Sequence, residues 1–75
     1  MRTDTVAIRA EMVASVLQID VAVGDRIEEG QQVCLLESMK MEIPVLADDA
    51  GTVTAIKVVS GDVVQEGDEL LTLSV

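Results

Sequence analysis

Phe, Tyr, Trp and His are all missing from this chain of 75 residues, which has a single Cys, Cys34, and a single Pro, Pro44. Without aromatic side chains the apolar core has to be aliphatic. Thirteen Val, five Ile and five Thr supply β-branched side chains that suit pleated, half-buried strands. Without His neither a His-based triad nor a His metal ligand can be assembled, and the scattered carboxylates that remain do not make a metal site. No Gly-rich phosphate loop leads into a helix, which argues against a nucleotide site. One cysteine cannot form a disulfide within the chain. It suits a reducing compartment and reads as a buried, inert thiol.

Basic residues are also scarce. Five Lys and Arg against fourteen Asp and Glu give a net charge of -9, which repels phosphate backbones and anionic bilayers. Neither nucleic acid nor a membrane is expected as a partner. The longest apolar run, Val33 to Leu36, is too short for a membrane span or a signal peptide. A soluble, cytoplasmic chain is the expectation. Its length allows one domain, residues 1–75, near the lower size limit for a single core without disulfides, metal or oligomerisation. Met1 and the polar lead "MRTDT" fit a complete small protein, and equally a domain cut from a longer one.

The chain states one pattern twice. "VASVLQIDVAVGDRIEEGQQVCLLE" (13–37) aligns with "AGTVTAIKVVSGDVVQEGDELLTLS" (50–74) at an offset of 37, with eight of 25 positions identical. Each copy reads as strand, "GDxxxEG" segment, strand. Gly24-Asp25 and Gly61-Asp62 are turn dipeptides, in which Gly reaches positive φ and Asp bonds to the backbone two residues on. A very short strand follows each, at Arg26-Ile27 and Val63-Val64, before Gly30 or Gly67 closes a second turn. Two copies are too few for a solenoid, so they predict two halves of one β domain related by a pseudo-two-fold axis. Alternation over 32–38 places Cys34, Leu36 and Ser38 on one face and Val33, Leu35 and Glu37 on the other. In the second copy Leu71, Leu73 and Val75 share a face. No segment has a sustained helical period. The predicted fold is all-β, a flattened barrel or sandwich of two small sheets.

"LLESMKMEI" (35–43) lies between the copies. A two-residue turn at Met39-Lys40 pairs Ser38 with Met41, Glu37 with Glu42, Leu36 with Ile43 and Cys34 with Val45. This register turns Leu36, Ile43, Cys34 and Val45 inward together. Pro44 then belongs on an edge strand, where its missing N–H breaks no ladder. Two features go against local preference. Glu37 and Glu42 oppose one another, and Met39-Lys40 occupies positions that want positive φ. A longer, looser loop with a solvated lysine is the alternative on pattern alone.

Lys40 and Lys57 are the two lysines. Lys40 has carboxylates for neighbours, which favour its charged form and argue against its acting as an unaided base. It reads instead as an amine displayed at the tip of a protrusion, placed to receive a group from another enzyme. Lys57 is expected within a strand.

"ESMKMEI", with "VGDRIEEGQQV" before it and "AGTVTAIKVVSGDVVQEGDEL" after it, resembles the biotinyl domain of biotin-dependent carboxylases over about residues 7–75. It is most similar to the short, free-standing biotinylated proteins known from mycobacteria. The resemblance implies two four-stranded antiparallel sheets, with the termini in one and the modified lysine at a hairpin tip of the other. It implies that Lys40 receives biotin, in amide linkage, from a biotin protein ligase using biotinyl-adenylate. The attached group would take a carboxyl group at a biotin carboxylase and deliver it at a carboxyltransferase, within an acyl-CoA carboxylase. The chain would be a non-catalytic, monomeric carrier. Met39 and Met41 then form a recognition surface for partner pockets or pack the tip, and Glu37 and Glu42 orient the ligase or are a solvated pair.

Three features depart from the family pattern. Ser38 replaces the usual Ala before Met-Lys-Met. "AEMVASV" replaces "PMPGxV", so that Ala14 stands where the second copy has Gly51, which puts the bend there in question. No insertion follows the strand at 13–19, so the protruding thumb of some bacterial carriers is absent. Two rivals stay open: a lipoyl carrier, whose lysine is commonly flanked by Asp and Ala, and an unmodified β scaffold that binds a protein.

Overall fold

The computed structural model describes residues 4–75, and the first three residues of the "MRTDT" lead lie outside them. Eight strands run in chain order: β1 Thr5–Arg9, β2 Ala14–Ile19, β3 Arg26–Ile27, β4 Gln32–Ser38, β5 Met41–Leu46, β6 Gly51–Ile56, β7 Val63–Val64 and β8 Glu69–Ser74. They form two four-stranded antiparallel sheets ordered β1-β8-β6-β3 and β5-β4-β2-β7. A shift of 37 residues, forwards for β1 and β3 and backwards for β6 and β8, turns the first order into the second, so the repeat extends to β1 and β5. The two halves interlock. Gly24 N–H donates to Val53 O and Gly61 N–H to Val16 O, both at 2.8 Å, so each half's turn is held by the other half's strand.

The core lies between the sheets. Ile8, Ile27, Val53, Leu70, Leu71 and Leu73 from one face Val16, Val33, Cys34, Leu36 and Val64 from the other, all buried. Each such side chain contributes about 1.5–3 kcal/mol relative to exposure.

Strict alternation fails at matching places in the two halves, in β4 and β8 and again where the register slips between Val16 and Gln18 and between Val53 and Ala55. Val33 is buried alongside Cys34, and Leu70 alongside Leu71, whereas alternation puts Val33 outward. The cause is a bulge: the β4–β5 register slips between Gln32 and Cys34, and the β1–β8 register slips at the matching site, between Ile8 and Arg9. An extra residue in one strand lets two consecutive side chains turn inward. Val75 also departs from expectation, half exposed because β8 has ended and the core with it. The turn aspartates bond backwards rather than forwards. Asp25 accepts from Ala22 N–H at 2.9 Å and Asp62 from Val59 N–H at 3.0 Å.

β2 and β3 are separated by six residues, as are β6 and β7, so neither half carries a thumb. Ala14 keeps the expected bend: it pairs with Val64 as Gly51 pairs with Ile27. Among the described residues no helix is long and apolar enough to cross a membrane.

Candidate functional site

The hairpin between β4 and β5 has the register read from the pattern, with Ser38 opposite Met41, Glu37 opposite Glu42, Leu36 opposite Ile43 and Cys34 opposite Val45. β5 is an edge strand, which accommodates Pro44. Met39 at φ 53 and Lys40 at φ 67 are the non-Gly residues with positive φ among those described. A tight two-residue hairpin demands this shape, because its twist matches that of the flanking strands. Glycine fills the other positive-φ turn positions, at 24, 30, 61 and 67. Holding two side-chain-bearing residues there costs roughly 1–3 kcal/mol each. A looser loop would avoid that cost, and the chain does not adopt one.

The strained turn lifts its side chains clear of the body. Lys40, Glu37 and Glu42 are exposed, Met39 is 92% exposed and Met41 65%. The ion pairs among the described residues join Arg9 to Glu69 and Arg26 to Glu28. Neither involves Lys40 or its flanking glutamates. The Ser38 hydroxyl donates to Val13 O at 3.0 Å, tying the end of β4 to the loop before β2. The family's Ala lacks a hydroxyl to make that bond.

Lys57 is exposed and lies just past β6 rather than inside a strand. Its backbone N–H donates to Leu70 O at 2.9 Å. Burial therefore does not separate the two lysines. The difference is that Lys40 occupies the summit of a two-residue turn. Cys34 is buried, and that burial, with help from the Asp20 charge, pushes its thiol up to about 11, which leaves it inert near neutrality.

The sequence reading missed three neighbours of the hairpin. Met12 and Val13, from the loop before β2, and Val63, from β7, share a shallow concavity with Glu37, Ser38 and Met39. The available signal was the disagreement between the two copies there: Met12 aligns with Asp49 and Val63 with Arg26.

The family model described as "Biotin-requiring enzyme" matches residues 6–73. The chain belongs to the biotin-requiring enzyme family. It is 55% identical over 67 residues to the "Biotinylated protein TB7.3 homolog" of Mycobacterium leprae, covering 89% of this chain and 94% of that one. It is 46% identical over 65 residues to the "Biotin carboxyl carrier protein" of Streptococcus mutans, covering 87% of this chain and 50% of that one. Among solved structures it resembles a single-chain, multi-domain long-chain acyl-CoA carboxylase, with a TM-score of 0.88 at 33% identity over 93% of this chain and 7% of that one.

Proposed function

We propose that this protein is a biotin carboxyl carrier in which Lys40 holds the cofactor as an amide. The observation that carries the reading is the turn itself: two residues in a strained conformation lift one amine, free of ion pairs, to the exposed end of a tight hairpin. Relatives named for biotinylation and for carboxyl carriage support the choice of biotin over lipoate, as do Met39 and Met41 where lipoyl carriers commonly have Asp and Ala.

Loading needs the neutral amine. Lys40 Nζ attacks the acyl carbon of biotinyl-adenylate in the ligase; the C–N bond forms, the C–O bond to phosphate breaks, AMP leaves, and the amine proton passes to a base. The lysine charge is lost. Once attached, the group supplies a ureido nitrogen that accepts a carboxyl group at a biotin carboxylase and releases it at a carboxyltransferase. The chain performs neither step. It raises the effective concentration of the carried group at both sites by tethering it, and the two-residue hairpin sets where the tether begins.

The acceptor reaction we propose is that of an acyl-CoA carboxylase, in the cytoplasm, whose reducing conditions suit a lone thiol. Met39 and Met41 present flexible, polarizable side chains that can fit more than one pocket. Glu37 and Glu42 mark the hairpin for the ligase. Their counterparts at an offset of 37 are Ser74 and Thr5, so the fold itself does not require acids there.

Intact mass of the protein expressed with its native ligase tests this reading. One biotin-sized increment, lost in Lys40→Arg, is the expected result. A lipoyl-sized increment would establish the lipoyl rival. No increment would leave the unmodified scaffold.

A further inference from the structure

The internal repeat provides a control for the surface around the hairpin. Several exposed positions beside the hairpin have a counterpart at the same place in the other half's strand pairing. Exposed Met12 corresponds to exposed Asp49, Val13 to Ala50, exposed Val63 to exposed Arg26, and exposed Met41 to exposed Asp4. The same strand pairings and the same bends form with charged or small residues at those places. Folding therefore does not explain Met12, Val13 and Val63, which are 39%, 55% and 65% exposed. Val23, Leu46 and Val59 are also exposed with a different residue at the equivalent place; Met12, Val13 and Val63 stand apart because they share one concavity with Met39 beside the hairpin, and an exposed apolar cluster there points to a partner.

The strand ladder shows how the surface is arranged. Val63, Ser15, Glu37 and Glu42 stand side by side across β7, β2, β4 and β5. One end of this row is apolar and the other carries two carboxylates. Met12 and Val13 border it, and the Ser38 bond to Val13 O fixes the loop that carries them to the root of the hairpin.

We propose that Met12, Val13 and Val63 extend the Met39 tip into a docking shelf for the biotin protein ligase, an inference that rests on Lys40 being the loaded residue. Loading is the one step in which the reacting atom belongs to the carrier. Lys40 Nζ has to reach the acyl carbon, so the ligase closes over Met39 and onto the surface continuous with it. At the carboxylase and carboxyltransferase the reacting ring stands a full tether away. A second copy of this chain would bring its own charge of -9 against the shelf. The matching ligase surface is an apolar rim with cations placed to meet Glu37 and Glu42.

The test transplants the other half's residues. Met12→Asp, Val13→Ala and Val63→Arg are combined, and loading by a biotin protein ligase with ATP and biotin is followed against carrier concentration. KM for the carrier rises about tenfold or more while kcat holds, since truncating central contacts weakens docking by that order. Val63→Arg alone, copying Arg26, gives part of the rise. Val23→Ser, at an exposed valine outside the shelf, retains the native KM, and amide NMR spectra verify that each variant is folded. Native KM and kcat in the folded triple variant would overturn the proposal. If, in addition, the Met12 and Met39 methyl signals of the wild-type chain shift on biotinylation, the shelf belongs to the tethered group instead. Failure of the wild-type chain to load, or loading of Lys40→Arg, would refute the Lys40 reading instead.

Discussion

Two rows of outward-facing residues occupy equivalent places in the two sheets. In one sheet Val63, Ser15, Glu37 and Glu42 cross β7, β2, β4 and β5; in the other Arg26, Thr52, Ser74 and Thr5 cross β3, β6, β8 and β1. The backbone is shared and the chemistry is not. Beyond the first row the chain makes a strained Met-Lys turn. At the equivalent place beyond the second, Val75 N–H donates to Asp4 O at 2.9 Å. What the halves share serves the fold. The exposed differences beside the hairpin are the ones we propose that other proteins handle.

The strongest challenge to this division strikes the shared part. Leu36 and Leu73 are equivalent, and both are buried, so Leu36→Ala and Leu73→Ala should each destabilise by about 2–5 kcal/mol. Urea titration should find the two alike, and a difference of several kcal/mol would mean that the halves are not equivalent in the core.

Cys34 and Leu71 are equivalent core positions of different chemistry. The Cys34 pKa is raised from 9.0 to about 11 by burial and then by Asp20. Below pH 9 the thiol stays protonated in both states. Between about 9 and 11 the unfolded chain releases the proton while the folded one keeps it, so the unfolded state binds fewer protons and stability falls as pH rises. The loss should reach about 2–3 kcal/mol. A pH series of urea midpoints checks it, and Cys34→Val should remove that part of the slope.

Gly51 and Ala14 sharpen the comparison at one bend. A Cβ at Gly51 would sit 2.5 Å from Ser74 O, so Gly51→Ala should destabilise by about 1–3 kcal/mol. Ala14→Gly should stay within about 1 kcal/mol. Thermal melts of the pair would read the contrast, and equal small effects would show that the second bend is no tighter than the first.

The smallest effect falls on the acids that the rows do not share. Glu37→Lys replaces repulsion by attraction across the hairpin and should stabilise it by a few tenths of a kcal/mol. Biotinylation by the ligase should slow. Unchanged loading kinetics would remove Glu37 from the recognition surface.

Much of this was legible in the sequence, for identifiable reasons. The repeat was visible because its turns need Gly-Asp at fixed offsets. The hairpin register followed from four inward residues that only one pairing brings together. The bulges at Val33 and Leu70 were not legible, because a slipped register depends on the partner strand and leaves no mark in period-two alternation. Lys57 was placed in a strand that ends one residue earlier. The shelf was hidden because Met12 and Val63 are far from Lys40 in the chain, and the ladder through Ser15 and Glu37 brings them to it.

Peptide mapping of the loaded protein by fragmentation mass spectrometry tests the central claim most directly. Lys40 and Lys57 are both exposed, so exposure gives no preference between them, and we propose that the strained turn and its surroundings make the choice. The biotin increment should lie on Lys40 alone, with Lys57 unmodified. An increment on Lys57, or one retained in Lys40→Arg, would contradict the account.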